Sequence, residues 1–307
     1  MHAEKKVALI ILNWNGKENT LECLRSVAKL VRKNINLEIY VVDNASSDGS
    51  VEEIKRKFPY VHTIQNKQNK GFTGGNNVAI RQALKHNADF VWLLNNDTIV
   101  EKRALVELAD VFDDPSVGIA ASKIYFMKGY EFHHDRYKEH ERGKVLWYAG
   151  GIIDWNNVYG FHRGVDEVDH GQHENIVETD YATGCSMMIA RKCIDCVGVF
   201  DERYFAYLED MDLSLRVKQY GWKVLYVPAS IVWHKNAGST ARPGNEFHQY
   251  YLTRNRLLFG LTYAPLRTKL ALIKESLRFM FLGTIGQKQA IFDMLLKRFG
   301  RQYLWKR

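Results

Sequence analysis

Val7 to Leu12 is an unbroken apolar run, the pattern of a strand buried on both faces. Leu37 to Val42 repeats it with one interruption at Glu38. Val61 to Ile64 is a shorter candidate, and Phe90 to Leu94 is strongly apolar. Between these runs the period changes. Thr20, Leu21, Leu24, Val27, Ala28 and Leu30 recur at helical spacing. Ser50 to Phe58 sets Val51, Ile54 and Phe58 on one side, with Ser50 placed as the N-cap. Asn76 to Lys85 aligns Ala79, Ile80 and Ala83, and Leu105 to Phe112 reads as another short helix. Strands alternating with such helices predict an α/β fold, with a mostly parallel central sheet flanked by helices.

The second half is less regular. Met127 to Lys144 is polar and reads as a surface excursion. Val145 to Ile153 and Asn175 to Ala182 are strand candidates, and Met187 to Ala190 is a short apolar run. Met211 to Tyr220 predicts a helix stopped by Gly221. Val224 to Val227 predicts a strand ended by Pro228, and Phe247 to Leu258 another helix.

Polar clusters follow three of the predicted strands: Asn13 to Gly16, Asp43 to Asp48, and Asn95 to Asp97. Open α/β sheets bind ligands beyond the carboxyl ends of their strands, so the clusters point to one site. Asp97 could reach a divalent cation, since hard cations prefer oxygen ligands. Asp97 or Thr98 also fits as the cap of the helix running to Phe112. Glu209, Asp210 and Asp212 crowd a predicted helix start. The helix dipole favours acids there. The aromatic flank of Phe200, Tyr204, Phe205 and Tyr207 would raise a carboxyl toward the range of a general base. His234 ends the run Ser230 to Trp233 and fits either a core histidine or a metal ligand. Asn69, Gly71, Gly74, Gly75, Asn76 and Asn77 precede a helix. They fit a plain turn, or a close backbone approach to an anionic ligand. The segment lacks the ending of a P-loop and the spacing of a dinucleotide fingerprint, which lowers the kinase and dehydrogenase readings.

Charge adds an asymmetry. The net charge is +8, and the stretch from Ala264 onward holds ten Lys or Arg against Glu275 and Asp293, also +8. The first 263 residues therefore balance. Segments Leu270 to Leu282 and Ile291 to Leu296 mix apolar and basic residues, as helices lying on an anionic membrane do. Packing on the main domain, or contact in a homodimer, are the other readings. Nucleic acid is not expected as a partner. The four cysteines form no disulfide framework, and Cys193 and Cys196 read as structural. No apolar run approaches the length of a membrane span, and the polar start to Lys6 leaves no room for a secretory signal. The expected location is cytoplasmic, with peripheral attachment to the inner face of the membrane left open by the basic tail. The expected division is a catalytic domain over 1–260 and a basic, amphipathic helical extension over 261–307.

Taken in order, several segments resemble the inverting family 2 glycosyltransferases, and their rhamnosyltransferase-like branch in particular. They are Ile11 to Asn15, Val41 to Ser50, Asn69 to Asn77, Leu93 to Thr98, Asp201 to Phe205 through Asp212 to Arg216, Val227-Pro228 with His234, and Tyr250-Tyr251 with Arg254-Asn255. The resemblance runs from Val7 to Leu258. It implies a GT-A nucleotide-diphospho-sugar transferase fold. Asp43 would accept a hydrogen bond from a pyrimidine base, beside Leu12 and Asn13. Gly71, Gly74, Asn76, Asn95 and Asn96 belong to the donor side of this reading. Asp97 would be the acid of the metal motif and His234 a further ligand, for Mg²⁺ or Mn²⁺. Asp210 looks like the catalytic base with Glu209 beside it, and Thr183, Gly184, Tyr251 and Arg254 look like the acceptor or phosphate side. Many relatives carry an aspartate where Asn95 stands, and the Asn-Asn-Asp form favours the rhamnosyltransferase-like branch. The implied donor is dTDP-L-rhamnose, with UDP-sugars behind it, and the implied acceptor a saccharide or lipid-linked saccharide. A sugar-nucleotide-binding or scaffold protein without catalysis is the alternative.

Overall fold

A computed structural model describes residues 4–236 and 246–301. The apolar runs form the first strands: β1 (Lys5–Asn13), β2 (Ile35–Asp43), β3 (His62–Gln65) and β4 (Phe90–Asn95). Helices α1 (Lys17–Val27), α2 (Ser50–Lys57) and α3 (Gly71–Lys85) connect them. β1 lies parallel between β2 and β4, and β3 extends the sheet beyond β2. Val7 to Ile11 have no exposed surface, so Val7, Leu9, Ile10 and Ile11 each contribute about 1.5–3 kcal/mol by burial.

Next come β5 (Thr98–Val100), α4 (Ala104–Asp110), β6 (Val117–Phe126), β7 (Leu146–Tyr148), β8 (Gly151–Asp154), β9 (Tyr159–His162), β10 (Val177–Glu178) and β11 (Ser186–Ala190). Then follow α5 (Arg191–Val197), α6 (Glu209–Gln219) and β12 (Lys223–His234). One ten-stranded sheet has the order β10-β12-β6-β11-β4-β1-β2-β3, with β5 on β12 and β7 on β6. It is mixed: β11 runs antiparallel between β4 and β6, while β6 and β12 are parallel. β8 and β9 form a separate hairpin.

Several expectations change. β12 does not stop at Pro228. Its register with β6 breaks between Val227 and Ile231, so the proline sits in an irregularity where no ladder hydrogen bond is lost. The strand therefore continues to His234. Gly71 to Asn77 form the first two turns of α3, with Asn69 just before it, so the plain-turn reading gives way to a helix start. Gly71 has φ +71, and a Cβ there would collide with the Phe205 carbonyl oxygen. Ser50 is the first residue of α2 behind an N-cap at Gly49, and its hydroxyl bonds Asp48 instead. Val145 to Ile153 splits into β7 and β8, and of Asn175 to Ala182 only β10 is strand. Asp97 and Thr98 cap no helix, because β5 intervenes before α4.

The chain continues through α7 (Glu246–Tyr263), α8 (Leu266–Leu282) and α9 (Ile285–Leu295). Leu257, Leu258, Phe259, Leu272 and Ile291 share an apolar cluster with Tyr204, Leu208 and Met211. These helices thus brace the segment that leads into α6. Among the described residues no helix is long and apolar enough to cross a membrane.

Candidate active site

A cleft of about 490 Å³ opens at the carboxyl ends of β1 and β4. Register brings the polar residues there: Asn13 lies opposite Asp43, and Leu12 opposite Asn95. The antiparallel pairing of β5 with β12 sets Thr98 against His234. That one pairing brings Asp97 to His234, 137 residues away in sequence, with Nε2 3.0 Å from Oδ1. Both side chains line the cleft. His234 Nδ1 is buried and makes no hydrogen bond among the described residues. Burial opposes the imidazolium, yet His234 stays charged well above the usual histidine range. Cys185 and the carboxylate of Asp97, both against the ring, hold it there.

The acidic cluster lines the same cleft. Asp210 Oδ2 accepts the Gly184 N–H at 3.2 Å, and Oδ1 accepts that of Met211 at 2.9 Å. Burial raises the Asp210 carboxyl above the ordinary range, and those two N–H groups oppose the rise. Glu209 lies deeper, with Oε2 unpartnered among the described residues. Its pKa goes well up, first through burial and then through the charges of Asp210 and Asp212. Two adjacent acids in one apolar wall do not ionise together readily. Asp210 holds two N–H donors and Glu209 has an orphaned oxygen, so burial raises Glu209 the further of the two. Asp212 turns away, accepting Arg216 at 2.9 Å and the Tyr263 hydroxyl at 2.7 Å. The cluster thus divides into one structural acid and two that face the cleft.

The loop before α6 is strained. Phe205, Tyr207 and Leu208 all have positive φ, at 65°, 73° and 67°. Helix α7 holds it. Asn255 Nδ2 donates to the carbonyls of Tyr204, Ala206 and Tyr207 at 2.9, 2.6 and 2.8 Å. Arg254 is fully buried and donates to the carbonyls of Arg203, Tyr204 and Gly300.

Leu12, Asn95, Asn96, Asp97, Thr183, Gly184, Glu209, Asp210 and His234 meet in the cleft wall. Asn13 and Asp43 lie behind it, bonded to each other at 2.9 Å. Asp43 also accepts the Ser46 N–H. Gly71, Gly74 and Asn76 are buried where α3 packs on the 202–205 loop, outside the wall. Tyr251 and Arg254 are likewise behind the loop rather than in the wall, with Tyr251 stacked on Phe205 at 5.0 Å.

Sequence reasoning missed His162. It lines the cleft from β9, and its Nδ1 is 3.0 Å from the Trp147 carbonyl, which fixes Nδ1 as the donor. Burial pushes its pKa down to about 4, so it is neutral at pH 7. Only the fold of the β8–β9 hairpin brings it there. Trp14, Phe72, Trp147 and Tyr181 add aromatic surface.

The family described as "Glycosyltransferase like family 2" matches residues 4–259. The chain belongs to this family. Among curated relatives of this family member, the low-salt glycan biosynthesis hexosyltransferase Agl10 of Haloferax volcanii is 23% identical over 255 residues, covering 82% of the chain and 74% of the relative. The N-acetylglucosaminyl-diphospho-decaprenol L-rhamnosyltransferase of Mycobacterium tuberculosis is 44% identical, but over 62 residues, a fifth of each chain. The mannosyltransferase PcManGT of Pyrobaculum calidifontis, solved with GDP-Man and Mn²⁺, aligns with a TM-score of 0.54 at 15% identity, over 95% of this chain and 74% of that one. At that identity the likeness concerns the fold, a mixed sheet flanked by helices as in GT-A transferases.

The family implies a divalent cation. Among the described residues no group of three or more His, Cys, Asp or Glu forms a closed cage. Asp97 and His234 suit a different arrangement. Mg²⁺ takes one or two carboxylates and completes its shell with substrate phosphates and water, and imidazole suits later first-row metals. His234 would have to release the proton it holds beside Asp97 before a ring nitrogen could ligate the ion. The described lining includes no Lys or Arg, so a diphosphate there would lack a side-chain counter-charge apart from His234. The residues fit such an ion.

Proposed function

We propose that this family member transfers a sugar, with inversion, from a nucleoside diphosphate to a hydroxyl of a saccharide or lipid-linked saccharide. One observation carries the proposal: Asp97 with His234, and Asp210, open from different parts of the chain onto one cleft. The nucleoside end is assigned to the carboxyl edge of β1 and β2, around Leu12, Asn13 and Asp43. Asp97 and His234 would hold Mg²⁺ or Mn²⁺. Such an ion, when bound, offsets charge that grows on the departing diphosphate. Asp210, ionised beside a neutral Glu209, accepts the proton of the acceptor hydroxyl. The acceptor oxygen bonds to the anomeric carbon from the face opposite the diphosphate. The bond from that carbon to the diphosphate oxygen breaks, and its electron pair leaves with the nucleoside diphosphate. Neutral His162 and the aromatic residues shape the sugar pocket and exclude water. L-rhamnose from a dTDP donor is the preferred sugar, supported by the Asn-Asn-Asp form and by the local likeness to an L-rhamnosyltransferase. UDP-sugars follow.

Calorimetry with Mn²⁺ tests the donor, comparing dTDP-rhamnose, UDP-galactofuranose, UDP-glucose and GDP-mannose. The expected result is one tight donor, with dTDP-rhamnose first. Asp210→Asn should bind that donor with nearly unchanged affinity and lose on the order of 10²–10⁴-fold in turnover. Equal loss of binding and turnover would remove Asp210 from the role of base.

A further inference from the structure

Helix α8 carries Leu266, Leu270, Ile273, Leu277 and Phe281, the spacing of a single helix face. All five are exposed, from 47% at Ile273 to 77% at Phe281. The opposite face is occupied. Thr268 and Leu272 are buried, with Leu272 against Gly260 of α7. The exposed stripe is therefore not the packing side of the helix. It extends over about 22 Å at 1.5 Å per residue. Neighbouring α9 exposes Ile285 and Phe292 as well.

The charges decide the occupant. At 100° per residue, Arg267, Lys274 and Arg278 border the stripe on one side and Lys269 on the other. The two acids of this part of the chain through Arg301 are engaged internally. Glu275 accepts Arg256 Nη1 at 2.5 Å, and buried Asp293 accepts the Tyr250 hydroxyl at 2.8 Å. An apolar stripe with a cationic rim matches the acyl and headgroup layers of an anionic bilayer. A second copy would bring like charges against that rim. We infer that the exposed face of α8 lies in the interface of an anionic lipid bilayer and docks the protein there.

This surface is tied to the cleft. Arg256 also donates to the Asn157 carbonyl in the turn of the β8–β9 hairpin at 2.7 Å. Its guanidinium lies 4.6 Å from the ring of Tyr159, a cleft-lining residue. Docking and cleft are joined through one side chain. The lipid claim stands independently of the transfer reaction, because its readout is binding.

Flotation of the full chain tests it, with vesicles of phosphatidylcholine alone and of phosphatidylcholine with phosphatidylglycerol. The protein should float with the anionic vesicles, stay behind with the neutral ones, and be released by salt. Arg267→Gln, Lys274→Gln and Arg278→Gln together should weaken anionic binding roughly a hundred-fold. Leu270→Ser, Ile273→Ser and Leu277→Ser together should weaken it about ten-fold or more. All six side chains are exposed, so both variants should keep the wild-type melting temperature. Failure of the wild type to float with anionic vesicles would overturn the inference. So would unchanged flotation of both variants, or a wild-type dimer that the serine variant alone converts to monomer without any vesicle binding.

Discussion

Glu209 and Asp210 are neighbours in sequence whose pKa values both rise, Glu209 the further, and the difference lies in their hydrogen bonds. Asp210 receives two backbone N–H groups, and Glu209 Oε2 receives none among the described residues. Folding therefore works against ionising Glu209. The folded state keeps the proton above pH 4.5, the ordinary value, while the unfolded chain releases it. The native state then binds more protons than the unfolded state, so stability falls as pH rises from 4.5 toward the raised folded value. Glu209→Gln removes that penalty and keeps the shape. Thermal melts of the two proteins should agree below pH 4 and diverge above 5, with the variant the more stable. The gap grows by about 1.4 kcal/mol per pH unit until the folded pKa is reached. A constant difference at every pH would place the orphaned oxygen in contact with water. For Asp210 the sign follows its role: turnover should fall as acid protonates the base, with a midpoint above the ordinary 3.8.

At the level of elements, the 203–208 loop and helix α7 form one device. Three bulky residues with positive φ do not hold that shape unaided, and Asn255 ties the loop down through the carbonyls of Tyr204, Ala206 and Tyr207. Asn255→Ala should destabilise the fold by about 2 kcal/mol or more, since buried carbonyls lose their donor. It should also lower kcat more than it weakens donor affinity, because the loop sets Asp210. Asn255→Asp should be worse than alanine, since a carboxylate would face carbonyl oxygens. Recovery of kcat in the aspartate variant would show that Asn255 does not position the base. The Tyr250 to Asn255 segment was visible in the sequence as part of the family pattern, but its place behind the loop was not. The reason is that Arg254 and Asn255 act on backbone carbonyls, which every residue has and no side-chain pattern reveals. The central strands were legible because a strand buried on both faces must be apolar at every position, as β1 is. Pro228 misled for the converse reason: a register irregularity lets a strand absorb a proline without ending. The Gly/Asn segment left a plain turn and a helix start both open, because glycine disfavours helix. Its close contact with Phe205 overrides that preference.

Across the whole molecule, the cleft depends on two long-range joints that meet. One is the antiparallel step of β5 onto β12, which delivers His234 to Asp97. The other is the bond from the Gly184 N–H, just before β11, to Asp210 at the start of α6. The Asn95 N–H donates to the Cys185 carbonyl at 2.9 Å, which links the two joints through adjacent strands β4 and β11. The pair proposed to hold a cation and the acid proposed to take a proton are thus joined through one sheet, and each should fail separately. Asp97→Ala removes the carboxylate but leaves the Gly184–Asp210 contact in place. Donor titrations in Mn²⁺ and in excess chelator should differ strongly for the wild type. In Asp97→Ala that difference should shrink by more than the ten-fold or so that loss of an outer-shell partner costs. His234→Ala should shrink it in the same direction. Asp210→Asn should leave it intact while turnover falls on the order of 10²–10⁴-fold. The double variant Asp97→Ala/His234→Ala should lose little beyond either single change, because both residues serve one ion. Additive losses would mean that they act at separate places. An undiminished metal effect in Asp97→Ala would move the cation to another part of the cleft and leave the 3.0 Å contact with His234 as a structural ion pair.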